Sequence, residues 1–204
     1  MWALSLPSDN DVDALTELQI HTFLPASDKA FNTGVEEPQG HLRAAFQGNW
    51  PEYSSFAGRV LGAQIFHRVL EHSFNQINEL GGRGQMSTFW DQHKAIDDEL
   101  TLILAFLPSE LRLPEHSWDH NALFVNIMLH TAVICLHRAG LGYSGQPPPH
   151  ELLLSQSQER LVPAAKEIVS VFQMMSNLQA ALRNPLIIFA AYVASIVFLE
   201  DFFP

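Results

Sequence analysis

Cysteine occurs once in the 204 residues, at Cys135, which rules out an internal disulfide and every cysteine-cluster zinc site within the chain. Basic residues are scarce as well: 11 Lys and Arg against 22 Asp and Glu leave a net charge of -11. A surface of that sign repels phosphate, and no window gathers a basic patch, so direct nucleic-acid contact is not expected. The 10 histidines add positive charge only in acid. No stretch keeps the apolar-polar alternation of a strand, and no hairpin dipeptide joins two apolar runs. Met1 to Asn10 lacks the basic start and apolar run of a signal peptide. The longest apolar stretch, Leu186 to Leu199, is interrupted by Ser195 and falls short of the roughly 20 residues of a bilayer span. It predicts a buried core helix, with no membrane partner. The chain holds no GxGxxG, P-loop, GxSxG or HExxH motif, and so no enzyme signature.

What the sequence has is apolar material: 47% hydrophobic residues with only 16% charged, enough for a packed core. Asp11 to Ile20 reads as a short helix, after which Pro25, Gly34, Pro38 and Gly40 break any regular element. Beyond Pro51 the period is helical. Ser54 or Ser55 caps a helix carrying Phe56, Val60, Leu61, Ile65, Val69 and Leu70, which stops at the loop Gly81-Gly82-Arg83-Gly84. Ser87 starts the next, with Phe89, Trp90, Ile96, Leu100, Ile103, Leu104 and Leu107 inward, and Pro108 ends it. Asp119 caps a third, closed by Gly140 and Gly142. Pro147-Pro148-Pro149 is a stiff connector, and Glu151 to Leu182 is helical in two pieces, split by Pro163. Asn184 then caps a last helix with Pro185 at its first position. The fold expected is all-α, an irregular multi-helix bundle, with a mixed N-terminal segment over 1–50 and a helical core over 51–204.

Three groups could carry chemistry. His130, Cys135 and His137 share one helix, but the histidines lie about 10 Å apart along its axis and Cys135 about 140° around it, a poor metal clamp. Asp91, His93, Asp97, Asp98 and Glu99 contain an i,i+4 pair, His93 and Asp97, which reads as a helix-surface ion pair. It could serve as a general base only with a nucleophile or second acid that the sequence does not supply. The stretch Ile168 to Met175, with Val169, Val171, Phe172 and Met174, packs as core or lines a partner or ligand groove. No catalytic, cofactor-binding or metal-ligating residue is assigned from these patterns.

Read as words, the centre of the chain carries a further signal. Phe89-Trp90-Asp91-Gln92-His93-Lys94-Ala95-Ile96-Asp97-Asp98-Glu99-Leu100 is followed by Phe106-Leu107-Pro108 and Leu111-Arg112-Leu113-Pro114. Phe124-Val125-Asn126-Ile127-Met128-Leu129-His130 and Thr131 to Ala139 then complete the order. This series resembles the middle homology region of fungal binuclear zinc-cluster transcription factors, with its "FWDxHxxIDxxL", "FLPxxLRLP" and "NxxLHxxxICLHxAA" words. Leu24 to Phe31, Ser54 to Val60 and the Asn184-Pro185 helix look like the family too, so the resemblance runs from Trp2 to Phe203.

The resemblance implies a nuclear, non-enzymatic regulatory domain that modulates transcription of target genes, a secondary-metabolism pathway being one family setting. It acts through protein partners, a homodimer or a co-regulator, and in some members through a small-molecule inducer. Zinc in that family sits in an N-terminal six-cysteine cluster, which a chain with one cysteine cannot build, so no cofactor is expected here. The coiled-coil linker and the first half of the region are absent as well, so Met1 is expected to begin inside the parent module. The alternative is a truncated paralogue, an interaction module that pairs with full-length regulators and titrates them.

Overall fold

A computed structural model describes residues 23–37, 40–41, 54–78, 86–143 and 151–202. The expected helix over Asp11 to Ile20, the boundary at Pro51, the glycine loop and the triple proline lie outside those residues. The described residues are helical with no strand, an all-α multi-helix fold. Seven helices follow in order: α1 Asp28–Thr33, α2 Ser55–Asn78, α3 Met86–Ala105, α4 His120–Gly142, α5 Glu151–Met174, α6 Leu178–Ala181 and α7 Pro185–Phe202. A 3-10 turn, Ser109–Leu111, lies between α3 and α4. The chain divides into two compact units, Met1–Ala57 and Gly58–Pro204.

In the first unit the breakers do not exclude a regular element, because they sit at its ends. Ser27 accepts a hydrogen bond from Ala30 N at 3.1 Å and so caps α1, and Gly34 ends it in the left-handed region at φ 68. An isolated bridge pairs Phe23 with His41.

The second unit is built around α4. Asp119 caps it by accepting from Asn121 N at 2.7 Å, and fifteen of its residues are buried around nearly the whole circumference. A helix apolar on every side needs neighbours on every side. It has them: α5 and α7 pack along it, with α3 and the 3-10 turn beside it. Gly62 of α2 comes against Val125, 3.7 Å from where a Cβ would sit. Leu61, Ile65 and Val69 of α2 and Ile96, Leu100 and Ile103 of α3 are buried as the helical period predicts. Phe56, expected on the inward stripe, is instead 48% exposed.

Asn126 holds the link between α3 and α4 in place. Its buried side-chain amide donates to Leu111 O and to Ala122 O, both at 2.8 Å, tying the 3-10 turn to the helix it precedes. Leu111 closes the gap on the other side against Gly58, where a Cβ would come within 2.3 Å of its Cδ1.

Three expectations are corrected. Pro163 does not split its helix: α5 runs unbroken past it, with the ring on the exposed side, and the break comes at Met175 instead. The loss is one backbone bond on the solvent face, and burial of Leu161, Ala164, Ala165 and Ile168 holds the helix together. Of the two glycines expected to close α4, Gly142 is its last residue, whereas Gly140 lies within it. Finally, α7 is not a buried core helix. Its start is as expected, with Asn184 Oδ1 accepting from Leu186 N at 3.0 Å. By length and composition both α4 and α7 could cross a membrane, but 72% of the apolar window of α4 is buried against only 28% of that of α7.

Candidate functional site

The chemistry-bearing residues that come together do so where α2, α3, α4 and α5 meet. His93, four residues before Asp97, is not on the surface: it is buried, with its ring 5.8 Å from His137 and 5.6 Å from His72. Aromatic neighbours explain the burial. Phe89 stacks on His72 at 4.4 Å and on Tyr143 at 4.1 Å, and Trp90 sits 5.1 Å from His93. Gly140 admits the ring, since a Cβ there would lie 2.9 Å from His93 Cε1.

Asp97 does not settle on His93 as a surface pair. Its Oδ1 lies 3.3 Å from His137 Nε2, and its two oxygens accept from Arg160 at 2.7 and 2.9 Å. The His137 contact is close but does not have the geometry of a hydrogen bond. Arg160 also donates to Thr101 at 3.0 Å, so α5 is clamped to α3 through one guanidinium. On the far side of the imidazole, His137 Nδ1 lies 3.2 Å from Ser157 Oγ. Asp97, His137 and Ser157 therefore form a carboxylate-imidazole-hydroxyl series across three helices. Ser157 carries no local motif; only tertiary packing brings it to His137.

Electrostatics follow burial. Desolvation pushes His93 down to about 4, helped by the neighbouring His137 and His72 and opposed by Asp97. Desolvation likewise lowers His72, against a hydrogen bond with Gln92 that favours the protonated ring. For Asp97 burial alone would raise the carboxyl, but His137, Arg160 and His93 together outweigh it, and it stays below its ordinary value. Beside this junction opens a cleft of about 710 Å³, lined by Trp90, Asp97, His137, Leu153, Ser157 and Arg160 among others.

Series of this kind can activate a serine, but catalysis also needs an exposed nucleophile and preorganised oxyanion donors. Ser157 is 3% exposed and lies seven residues into α5, where backbone N–H groups are spent on the helix ladder. The arrangement couples three helices through polar side chains.

The remaining candidates scatter. Burial alone pushes His130 down to about 4, and burial pushes the Cys135 thiol up to about 12 against the opposing charge of Arg138. Glu99 accepts from Arg68 of α2 at 2.6 Å, while Asp91 and Asp98 are exposed. Among the described residues no three His, Cys, Asp or Glu side chains gather as a metal would require. The Ile168 to Met175 stretch serves two ends: Ile168 and Val171 are core, and Met175 lines a second cleft of about 390 Å³ with Phe124 and Ile187.

Compared with protein-family models, curated proteins and solved structures, the chain matches none.

Proposed function

We propose that this chain is a regulatory, non-enzymatic module of the fungal zinc-cluster type, working in the nucleus through protein partners, and that the histidine-aspartate junction is its responsive element. One observation carries the proposal. Words of the resemblance that are far apart in sequence meet at a single junction: Trp90, His93 and Asp97 from the first, His137 from the last. A residue set kept only for packing would be apolar there. A polar series clamped across three helices can respond to a partner, because losing one contact unbalances the others.

Two buried nitrogens strengthen this view. Trp90 Nε1 and His93 Nδ1 have no hydrogen-bond partner, and such groups cost about 1–3 kcal/mol each. The junction is therefore poised rather than maximally stable, and an effector or co-regulator that prefers one packing shifts the balance. The adjoining cleft is of a size that takes a small inducer.

The test places the full chain between a heterologous DNA-binding head and an activation segment in a fungal reporter strain. Reporter output is expected to differ from that of the same fusion without the chain by about fivefold or more, the lower range of ordinary coupling between sites. Ser157→Ala, which removes a hydroxyl without opening a large cavity, is expected to weaken that modulation at unchanged helicity. Equal output with and without the chain sinks the reading.

A further inference from the structure

The cleft that Met175 lines with Phe124 and Ile187 shares no lining residue with the one beside the histidine junction. Arg59 of α2, half-buried, stands in its lining. Two contacts hold that side chain: its guanidinium carbon lies 4.0 Å from the centroid of the Phe124 ring, and Nη1 donates to Asn121 Oδ1 at 3.3 Å. Neither contact neutralises the charge. Arg68, Arg138 and Arg160 each hold a carboxylate, on Glu99, Glu200 and Asp97. Among the described residues Arg59 has none, in a chain where acidic side chains outnumber basic ones 22 to 11. No aspartate or glutamate lines the cleft either. The two amides in the lining also have donors to spare. Asn177 Oδ1 accepts from Ala180 N and Asn184 Oδ1 from Leu186 N, both at 3.0 Å. Each amide oxygen is thereby engaged, and the NH2 is what the side chain has left to offer.

We propose that this cleft binds a small organic carboxylate with an apolar body. A carboxylate only accepts hydrogen bonds, which suits a lining whose uncommitted groups donate. Arginine's planar fork takes the two oxygens side by side, and a bond between opposite charges is stronger than a neutral one. A half-buried cation gains more from such a ligand than an exposed one, because less water screens the pair. Phe124, Met175 and Ile187 give the rest of the ligand apolar surface to cover, and methionine adapts its shape to what lies against it. The volume, about 390 Å³, is near the lower end of the roughly 300–1,000 Å³ of ligand pockets, so the ligand is small. A bare phosphate would leave the apolar wall wet, and a neutral apolar molecule would leave the guanidinium without a counter-charge. The site is separate from the histidine junction, so the inference stands independently of the proposed function.

Isothermal titration calorimetry on the full chain at pH 7, with octanoate as the probe, tests it. A dissociation constant on the order of 100 µM is expected for a ligand of that size. Octanol, equal in length but uncharged, is expected to bind about tenfold or more weakly. The same loss is expected for octanoate on Arg59→Met, which keeps an unbranched apolar stem over Phe124 and removes the charge. Ala180→Trp, at an exposed position in the cleft lining, is expected to abolish binding with Arg59 intact. Lys166→Met, which removes an exposed cation outside the cleft, is expected to change nothing. A circular dichroism melt confirms that each variant is folded, and Ala180→Trp carries the test if Arg59→Met does not fold. No binding up to about 5 mM octanoate, well above that range, overturns the inference. So does equal affinity for octanol, or binding that Arg59→Met and Ala180→Trp leave unchanged. Inorganic phosphate that binds as tightly as octanoate overturns the assignment to a carboxylate with an apolar body.

Discussion

Taking the protein from pH 7 to pH 4 is expected to remove on the order of 5 kcal/mol of stability, most of it between pH 6.5 and 4. His93 and His130 move from an ordinary 6.5 to about 4 in the fold. Each shift is worth about 3 kcal/mol at about 1.4 kcal/mol per unit. In the unfolded chain both imidazoles take a proton near pH 6.5, whereas in the fold they stay neutral until about 4. The unfolded state therefore binds more protons across that window, and stability falls as pH falls. Above the unfolded value the full contribution is present. His72 acts in the same direction, and Asp97, lowered in the fold, adds a further loss only at the acid end. Since a domain of this size holds about 5–15 kcal/mol in all, acid should unfold it. Urea midpoints at pH 7, 6, 5 and 4 give the curve, and His93→Gln or His130→Leu should each flatten it by roughly half. Profiles that run parallel in wild type and variants would mean that these rings are not buried neutral.

Asn126→Asp is expected to cost about 3 kcal/mol or more at pH 7, although it changes one nitrogen to an oxygen. The side-chain amide supplies two donors to two carbonyls, Leu111 O and Ala122 O, in a buried setting. A carboxylate has no donor to offer and sets its charge against both oxygens. Protonation relieves part of the penalty, because a neutral acid donates once. The cost of the variant should therefore shrink as pH falls, opposite to the slope of the wild type. Asn126→Leu is the control: it leaves the carbonyls unmatched but adds no charge, and its deficit should not depend on pH. Denaturant midpoints of the three proteins at pH 7 and 5 decide the matter. A pH-independent Asp deficit equal to that of Leu would show that charge plays no part.

Local rules made much of the fold legible. Asp119 and the Asn184-Pro185 pair mark their helix starts through side-chain acceptors one or two residues away, and the apolar period places Ile65, Val69, Leu100 and Ile103 inside. What escaped those rules depends on distant neighbours. Proline normally splits a helix, yet Pro163 is exposed to solvent while packing on both sides keeps α5 continuous through it. His93 and Asp97 read as a polar surface pair because spacing along one helix says nothing of the rings of Phe89 and Trp90 that enclose the imidazole. Gly140 read as a helix stop because the ring it accommodates belongs to α3. Ser157 and Arg160 carry no sequence signal, and packing alone brings them to the junction, Ser157 to His137 from 20 positions away. The outer face of α7 escaped for the opposite reason: composition announces burial, and only packing tells which half is covered.

The proline in α5 also divides that helix by duty. Residues before it, Ser157 and Arg160, grip the junction, whereas Ala164, Ala165, Ile168 and Val171 after it lie in the core. Between the halves one rung of the backbone ladder is missing on the side that faces water. The missing rung sets two arms, one gripping the junction and one seated in the core, on either side of the place where the helix bends most easily. Tilting the first arm would move Ser157 and Arg160 together relative to His137 and Asp97, while the arm seated among the core helices stays where it is.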